Sequence, residues 1–170
     1  MNLKSLALGS VLSLAAVAAH ATTTDLGTLD ATITSSGGVA TSFGAVINDN
    51  FTFTVSSAST VQSNVTTFLG NINPAFYGIY TAGLDALVGT ADDALVVGHG
   101  FSSMSTSHFD VLAAGSYHFK VFGLSNAALS AYSISAIAVA QPVPEPQTYA
   151  LLGAGLGIVG FVAFRRRRDH

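Results

Sequence analysis

The sequence predicts an all-β protein: a single antiparallel β-sandwich, jelly-roll-like with about eight strands, between an N-terminal signal peptide and a C-terminal transmembrane helix. Three observations carry that expectation. From residue 22 to residue 141, β-branched and aromatic runs are punctuated by Gly, Asn and Ser at the spacing of short strands. Within several runs, apolar and polar side chains alternate with the period of two that belongs to a half-buried strand. Outside them, apolar residues gather into continuous runs at 6–18 and 149–164, with positive charge on one flank of each.

Residues 1–21 have the layout of a secretory signal. Lys4 supplies the positive start, and 6–18 is apolar but shorter than the roughly 20 residues a spanning helix needs. Ala19 and Ala21 bracket His20 in the small-x-small pattern that signal peptidase accepts, so the mature chain is expected to begin at Thr22. The implied partners are the Sec machinery and signal peptidase.

The middle, 22–141, reads as strands. Asp49 to Val55 alternates, with Phe51, Phe53 and Val55 on one face and Thr52 and Thr54 on the other. A strand is expected at 61–68 and another at 75–80, the second after a turn over Asn71, Ile72, Asn73 and Pro74. A turn at Ala114 and Gly115 leads into 116–122, where Tyr117, Phe119 and Val121 point inward while His118 and Lys120 point to water. A last strand covers 131–139, and further short ones lie near 27–34, 94–97 and 103–110.

The final segment, 142–170, has three parts. Pro144, Glu145 and Pro146 form a stiff acidic hinge, since proline fixes φ and lacks an N–H. An apolar helix is expected over 147–164, at the short limit for crossing a bilayer. Arg165, Arg166, Arg167 and Arg168 then act as a cytoplasmic stop-transfer cluster by the positive-inside rule. The GxGxxG from Gly155 to Gly160 is no nucleotide site, because no strand precedes it and the chain ends ten residues later.

Composition narrows the function. Of 170 residues, 49% are hydrophobic and only 9% charged, and the net charge is -3, with a mean hydropathy of +0.53. Between the two ends the one basic residue is Lys120, against seven aspartates up to Asp110. A domain with no basic patch is a poor nucleic-acid binder. The absence of cysteine excludes disulfides, thiolate metal sites and a cysteine nucleophile.

No constellation names a reaction. Asp85, Asp92 and Asp93 fall in a Gly-rich loop; carboxylates suit calcium, but the D-x-D-x-D rhythm of a known binding loop is missing, so a solvated acidic loop is the expectation and calcium the alternative. His99, His108 and His118 form no metal motif and are expected to be exposed. Ser107, His108 and Asp110 make a triad only on paper, since alternate residues of a strand point apart. Asp49 shares a face with Phe51 and Phe53, where a carboxylate must be bonded. It is expected at a strand entrance, accepting backbone N–H groups of a turn with Asn48 and Asn50, with a cation or ligand as the alternative. Tyr77, Tyr80 and Tyr117 are candidate sugar-stacking faces. The expectation is a protein that is not an enzyme and needs no cofactor.

Two resemblances add to this reading. The order Val143-Pro144-Glu145-Pro146, apolar helix and arginine cluster, over 143–168, resembles the PEP-CTERM sorting signal of Gram-negative bacteria. The resemblance implies recognition by an exosortase, an inner-membrane-anchored precursor with its domain in the periplasm, and transfer towards the cell surface or extracellular matrix. It also implies association with exopolysaccharide and biofilm. Ile47, Asp49 and Phe51 partly match the FxDxF subgroup of such proteins, with Ile47 in place of its first Phe. Leu112-Ala113-Ala114-Gly115-Ser116-Tyr117 with Tyr132 resembles that subgroup's ending, which also occurs in bacterial pre-peptidase C-terminal sandwiches. A surface carbohydrate-binding module and a permanently anchored inner-membrane protein are the alternative functions.

Overall fold

The computed structural model describes residues 22–83, 85, 87–142 and 146–168. The expected signal peptide, with Ala19 and Ala21, lies outside these residues, as do Pro144 and Glu145. The described chain contains β1 (Thr23–Thr28), β2 (Thr34–Ala40), β3 (Val46–Val55), β4 (Ser59–Leu69) and β5 (Ile72–Thr81). It continues with β6 (Leu95–Gly100), β7 (Ser107–Leu112), β8 (Gly115–Ser125), β9 (Ser130–Ala140) and α1 (Pro146–Arg168). Of the described residues, those up to Val139 form one compact unit and those from Ala140 another.

The first unit is a sandwich of a five-stranded sheet, β1-β3-β8-β5-β6, and a four-stranded sheet, β2-β9-β4-β7. From β2 onward the chain distributes its strands between the sheets in jelly-roll order. The ninth strand, β1, is the one in excess of the expected eight, and it pairs with β3 in parallel. It was illegible because Thr23–Thr28 shows no alternating apolar pattern. The strand expected at 27–34 is mostly the β1–β2 connection.

Alternation explains the core. In β3, Ile47, Asp49, Phe51, Phe53 and Val55 are buried, while the residues between them are not. Antiparallel pairing sets Phe51 opposite Phe119 and Phe53 opposite Tyr117 of β8. Phe53 stacks on Phe119 at 4.5 Å and on Tyr117 at 5.7 Å between ring centroids. The facing sheet contributes Val61 and Val65 from β4, and Tyr132, Ile134, Ala136 and Ala138 from β9. Each large apolar side chain so buried is worth about 1.5–3 kcal/mol of transfer free energy.

Two expectations change, and a third is not shown. The turn read at 71–74 is instead the start of β5, where an irregular register between Ile72 and Ala75 accommodates Pro74 and a cis Asn73–Pro74 peptide. His118 is not in water but 1% exposed. Its strand is central in the five-stranded sheet, and the loop after β5 covers the outer face at that point: Asp93 approaches the ring at 3.8 Å while Tyr80 stacks on it at 5.3 Å. The one not shown is the transmembrane character of α1. It is helical over 23 residues, through the arginines. Among the described residues, however, no helix is long and apolar enough to cross a membrane.

The Leu112–Tyr117 motif has a local cause. Leu112 is buried, the chain turns at Ala113 and Ala114, and the Tyr117 hydroxyl donates to the Ala113 carbonyl at 3.1 Å. This is a tyrosine corner, in which the ring fills the core and its hydroxyl satisfies the turn's backbone.

Candidate functional site

Three places in the sandwich bring functional side chains together. The first is a polar seam where edge strands β6 and β7 of the two sheets face each other. His108 and Asp110 alternate onto one face of β7, and His99 reaches them from β6. His99 Nε2 lies 2.9 Å from Asp110 Oδ2, with both side chains about 15% exposed. The rings of His99 and His108 stack at 3.9 Å. Behind them the hydroxyls of Tyr77 (β5) and Ser63 (β4) bond at 3.0 Å across the sandwich. Burial, and then the charge of His99, hold His108 below its usual pKa despite Asp110. Burial pushes the Tyr77 hydroxyl up to about 12.

The seam is therefore a bonded network linking two sheets, and Tyr77 is a poor nucleophile near neutrality. Ser107 of the paper triad is not in it; its hydroxyl accepts from Gln62 at 3.2 Å. His108 and Asp110 share a face, as the strand period requires, but the carboxylate bonds His99. Sequence spacing could not show that pair, because it joins separate strands from opposite sheets.

The second place is a groove of about 490 Å³ on the outer face of β5, β6 and β8. Phe76 and Phe122 are register partners there, 54% and 46% exposed. Tyr80, Leu95 and Lys120 line the same groove, and Gly78, Gly98 and Gly100 keep its floor low. Of the three tyrosines read as sugar platforms, Tyr77 and Tyr117 are buried at 2% and 8% exposure, which leaves Tyr80. The two phenylalanines were missed, because parity marks an outward Phe without saying that its cross-strand neighbour is also Phe.

The third place surrounds Asp49, which is 3% exposed on the core face of β3. Its Oδ1 accepts from the Thr22 backbone nitrogen at 2.9 Å and from the Thr22 hydroxyl at 2.7 Å. Its Oδ2 accepts from the Tyr132 hydroxyl at 2.6 Å. The expected turn with Asn48 and Asn50 is thus replaced by the first described residue of the chain and by a tyrosine of the other sheet. A Cβ built on Gly38 would lie 2.6 Å from Asp49 Oδ2 and 2.7 Å from the Tyr132 ring, so this contact needs glycine at 38. Burial, and then the bond to Asp49, raise the Tyr132 pKa well above the usual phenol range. Ile47, Asp49 and Phe51 owe their i, i+2, i+4 spacing to the inward face of β3.

The acidic loop is organised by its own donors. Asp93 Oδ2 accepts from the backbone of Gly89 at 2.6 Å and of Thr90 at 3.2 Å. Asp85 Oδ1 accepts from the Leu87 nitrogen at 2.9 Å, and Asp92 Oδ1 from the Thr90 hydroxyl at 2.6 Å. Among the described residues no three His, Asp or Glu side chains are grouped to hold a metal ion. Burial holds His118 below its usual pKa, opposed by Asp93 and reinforced by Lys120.

A protein-family model described as the PEP-CTERM protein-sorting motif matches residues 142–168. No curated protein matches the chain. Among solved structures, the chain is similar to the pre-peptidase C-terminal domain of a collagenase from Bacillus anthracis, at 16% identity and a TM-score of 0.46, covering 67% of this chain and 93% of that one. It is also similar to PliG of Aeromonas hydrophila, a periplasmic inhibitor of g-type lysozyme, at 12% identity, a TM-score of 0.42 and coverage of 70% and 99%. The Yersinia pseudotuberculosis-derived mitogen follows at 10% identity, a TM-score of 0.39 and coverage of 68% and 91%.

Proposed function

We propose that this is a non-enzymatic protein of the cell envelope or extracellular matrix, exported, sorted by exosortase and associated with exopolysaccharide. The sorting-motif match over residues 142–168 carries the reading, since that motif implies an exported protein processed by exosortase. In this account the signal peptide is removed after Ala21, and α1 sits in the inner membrane with Arg165 to Arg168 on the cytoplasmic side. A helix of marginal length and apolarity suits a temporary hold better than a permanent one. The subgroup likeness around Ile47, Asp49 and Phe51 belongs to the same reading. Intact mass of the protein recovered from cells and medium tests it. A product ending near Pro146 is expected, whereas full-length, lipid-embedded material beside an active exosortase would favour a permanent inner-membrane anchor.

The second reading, a carbohydrate-binding module, is favoured by the groove of Phe76, Phe122, Tyr80 and Lys120. Sugar rings stack on flat apolar faces, and the low glycine floor admits a chain lying across the strands. Affinity electrophoresis in the producer's own polysaccharide should retard the protein, and Phe122→Ala should abolish the retardation. Equal mobility of the two proteins would remove this reading.

A further inference from the structure

Asp49 is a buried carboxylate in an unusual setting. It shares the inward face of β3 with Phe51 and Phe53 and bonds Tyr132, and among the described residues no Lys, Arg or His nitrogen lies within 4 Å of it. A buried anion without a counter-charge is costly unless something cationic reaches it. The group nearest to supplying one is the Thr22 nitrogen, 2.9 Å from Oδ1. In the precursor that nitrogen is an amide. Resting on the reading that the export signal ends at Ala21, we propose that Asp49 is the receptor for the α-ammonium created at Thr22 by signal peptidase, so that processing completes an ion pair inside the fold.

The step balances. Water adds across the Ala21–Thr22 peptide bond, its oxygen giving the Ala21 carboxylate and a hydrogen going to the Thr22 nitrogen, which takes up one more proton near neutral pH. The product places a full positive charge and additional donors where a single N–H stood. The surroundings are built to hold that end of the chain. The Thr22 hydroxyl bonds the same carboxylate oxygen at 2.7 Å, and the Thr22 carbonyl accepts from the Asn50 nitrogen at 2.7 Å. Tyr132 holds the other oxygen at 2.6 Å. A one-residue change of the cleavage point would put the new charge about 3.3 Å along an extended chain, out of register with the carboxylate.

Tyr132 of β9 is the titratable side chain bonded to Asp49, and β2 contributes none. Asp25 of β1, bonded to Thr52, and Lys120 of β8, opposite Asn50, belong to the other face by strand parity. An ordinary α-amino group titrates near ~7.7–8.0. Pairing raises that value in the folded state, so the added stability is complete below about 7.7 and is lost as pH rises through the raised value.

The test compares the chain from Thr22 to His170 in detergent micelles in three forms: with a free Thr22 terminus, with Thr22 acetylated, and with Ala21 retained. The Thr22 α-amino pKa by NMR should lie at least one unit above the ordinary range. The free form should be on the order of tenfold more stable in folding equilibrium than the other two. Asp49→Asn should abolish these differences, and acetylation supplies the comparison should that variant fail to fold. An ordinary Thr22 pKa with equal stabilities would overturn the ion pair. Separately, N-terminal sequencing of exported protein should begin at Thr22, and another start would overturn the cleavage reading independently of the titration.

Discussion

A carboxylate on the core face of a strand survives only if its oxygens are bonded, and Asp49 shows how narrow the means are. Tyr132→Phe should leave Oδ2 without its donor and destabilise the protein by about 1–3 kcal/mol, read as a lower urea midpoint. Gly38→Ala should act on the same contact by pressing a methyl between Asp49 and Tyr132. His118 makes a different residue-scale prediction. Its pKa is held low in the fold by burial, against Asp93 and with Lys120, beneath the Tyr80 ring. The unfolded chain therefore binds more protons below about 6.5. Stability should be undiminished by this group above that pH and should fall as pH drops through it. Thermal midpoints from pH 7.5 to 5 should decline, and less steeply in His118→Phe.

At the scale of elements, the strands that face each other across an edge do the joining. The β6–β7 seam closes one side of the sandwich with His99, His108 and Asp110, so His99→Ala should speed hydrogen exchange in β6 and β7 before the central strands. Phe122 tells apart packing and recognition. It is about half exposed, so Phe122→Ala should leave the folded state nearly as stable while removing the groove's stacking face. For α1, replacing Arg165 to Arg168 by serine removes the cationic end and should leave unprocessed precursor in immunoblots of the producing cells. The alternation over 51–55 and 116–121 was plain in the sequence because one face is aromatic or aliphatic and the other carries Thr52, Thr54, Ser116, His118 and Lys120. β1 was not plain: its place depends on hydrogen bonds to β3 and on the bond from Thr22 to Asp49, which no local pattern encodes.

For the molecule as a whole, fold class was readable and the sites were readable only in part. Period-two patterning and turn residues define a sandwich, and Phe53→Ala in its centre should cost about 3–5 kcal/mol. The tail was legible because a hinge, an apolar helix and a cationic end are contiguous. Phe76 with Phe122 and Asp49 with Tyr132 join strands distant in sequence, and Asp110 with His99 joins consecutive strands that lie in opposite sheets, so only the topology could reveal them. His118 misled for the same reason: parity assigns a face, but not the loop that later shields it.

The core ends early. Ala138 is its last member, fastened by its nitrogen to the Asp30 carbonyl at 2.7 Å. The last strand of either sheet, β9, closes at Ala140, so a blade falling at or beyond Pro146 cuts no strand. Both sheets stay whole in the liberated product, which should keep a cooperative thermal transition of its own.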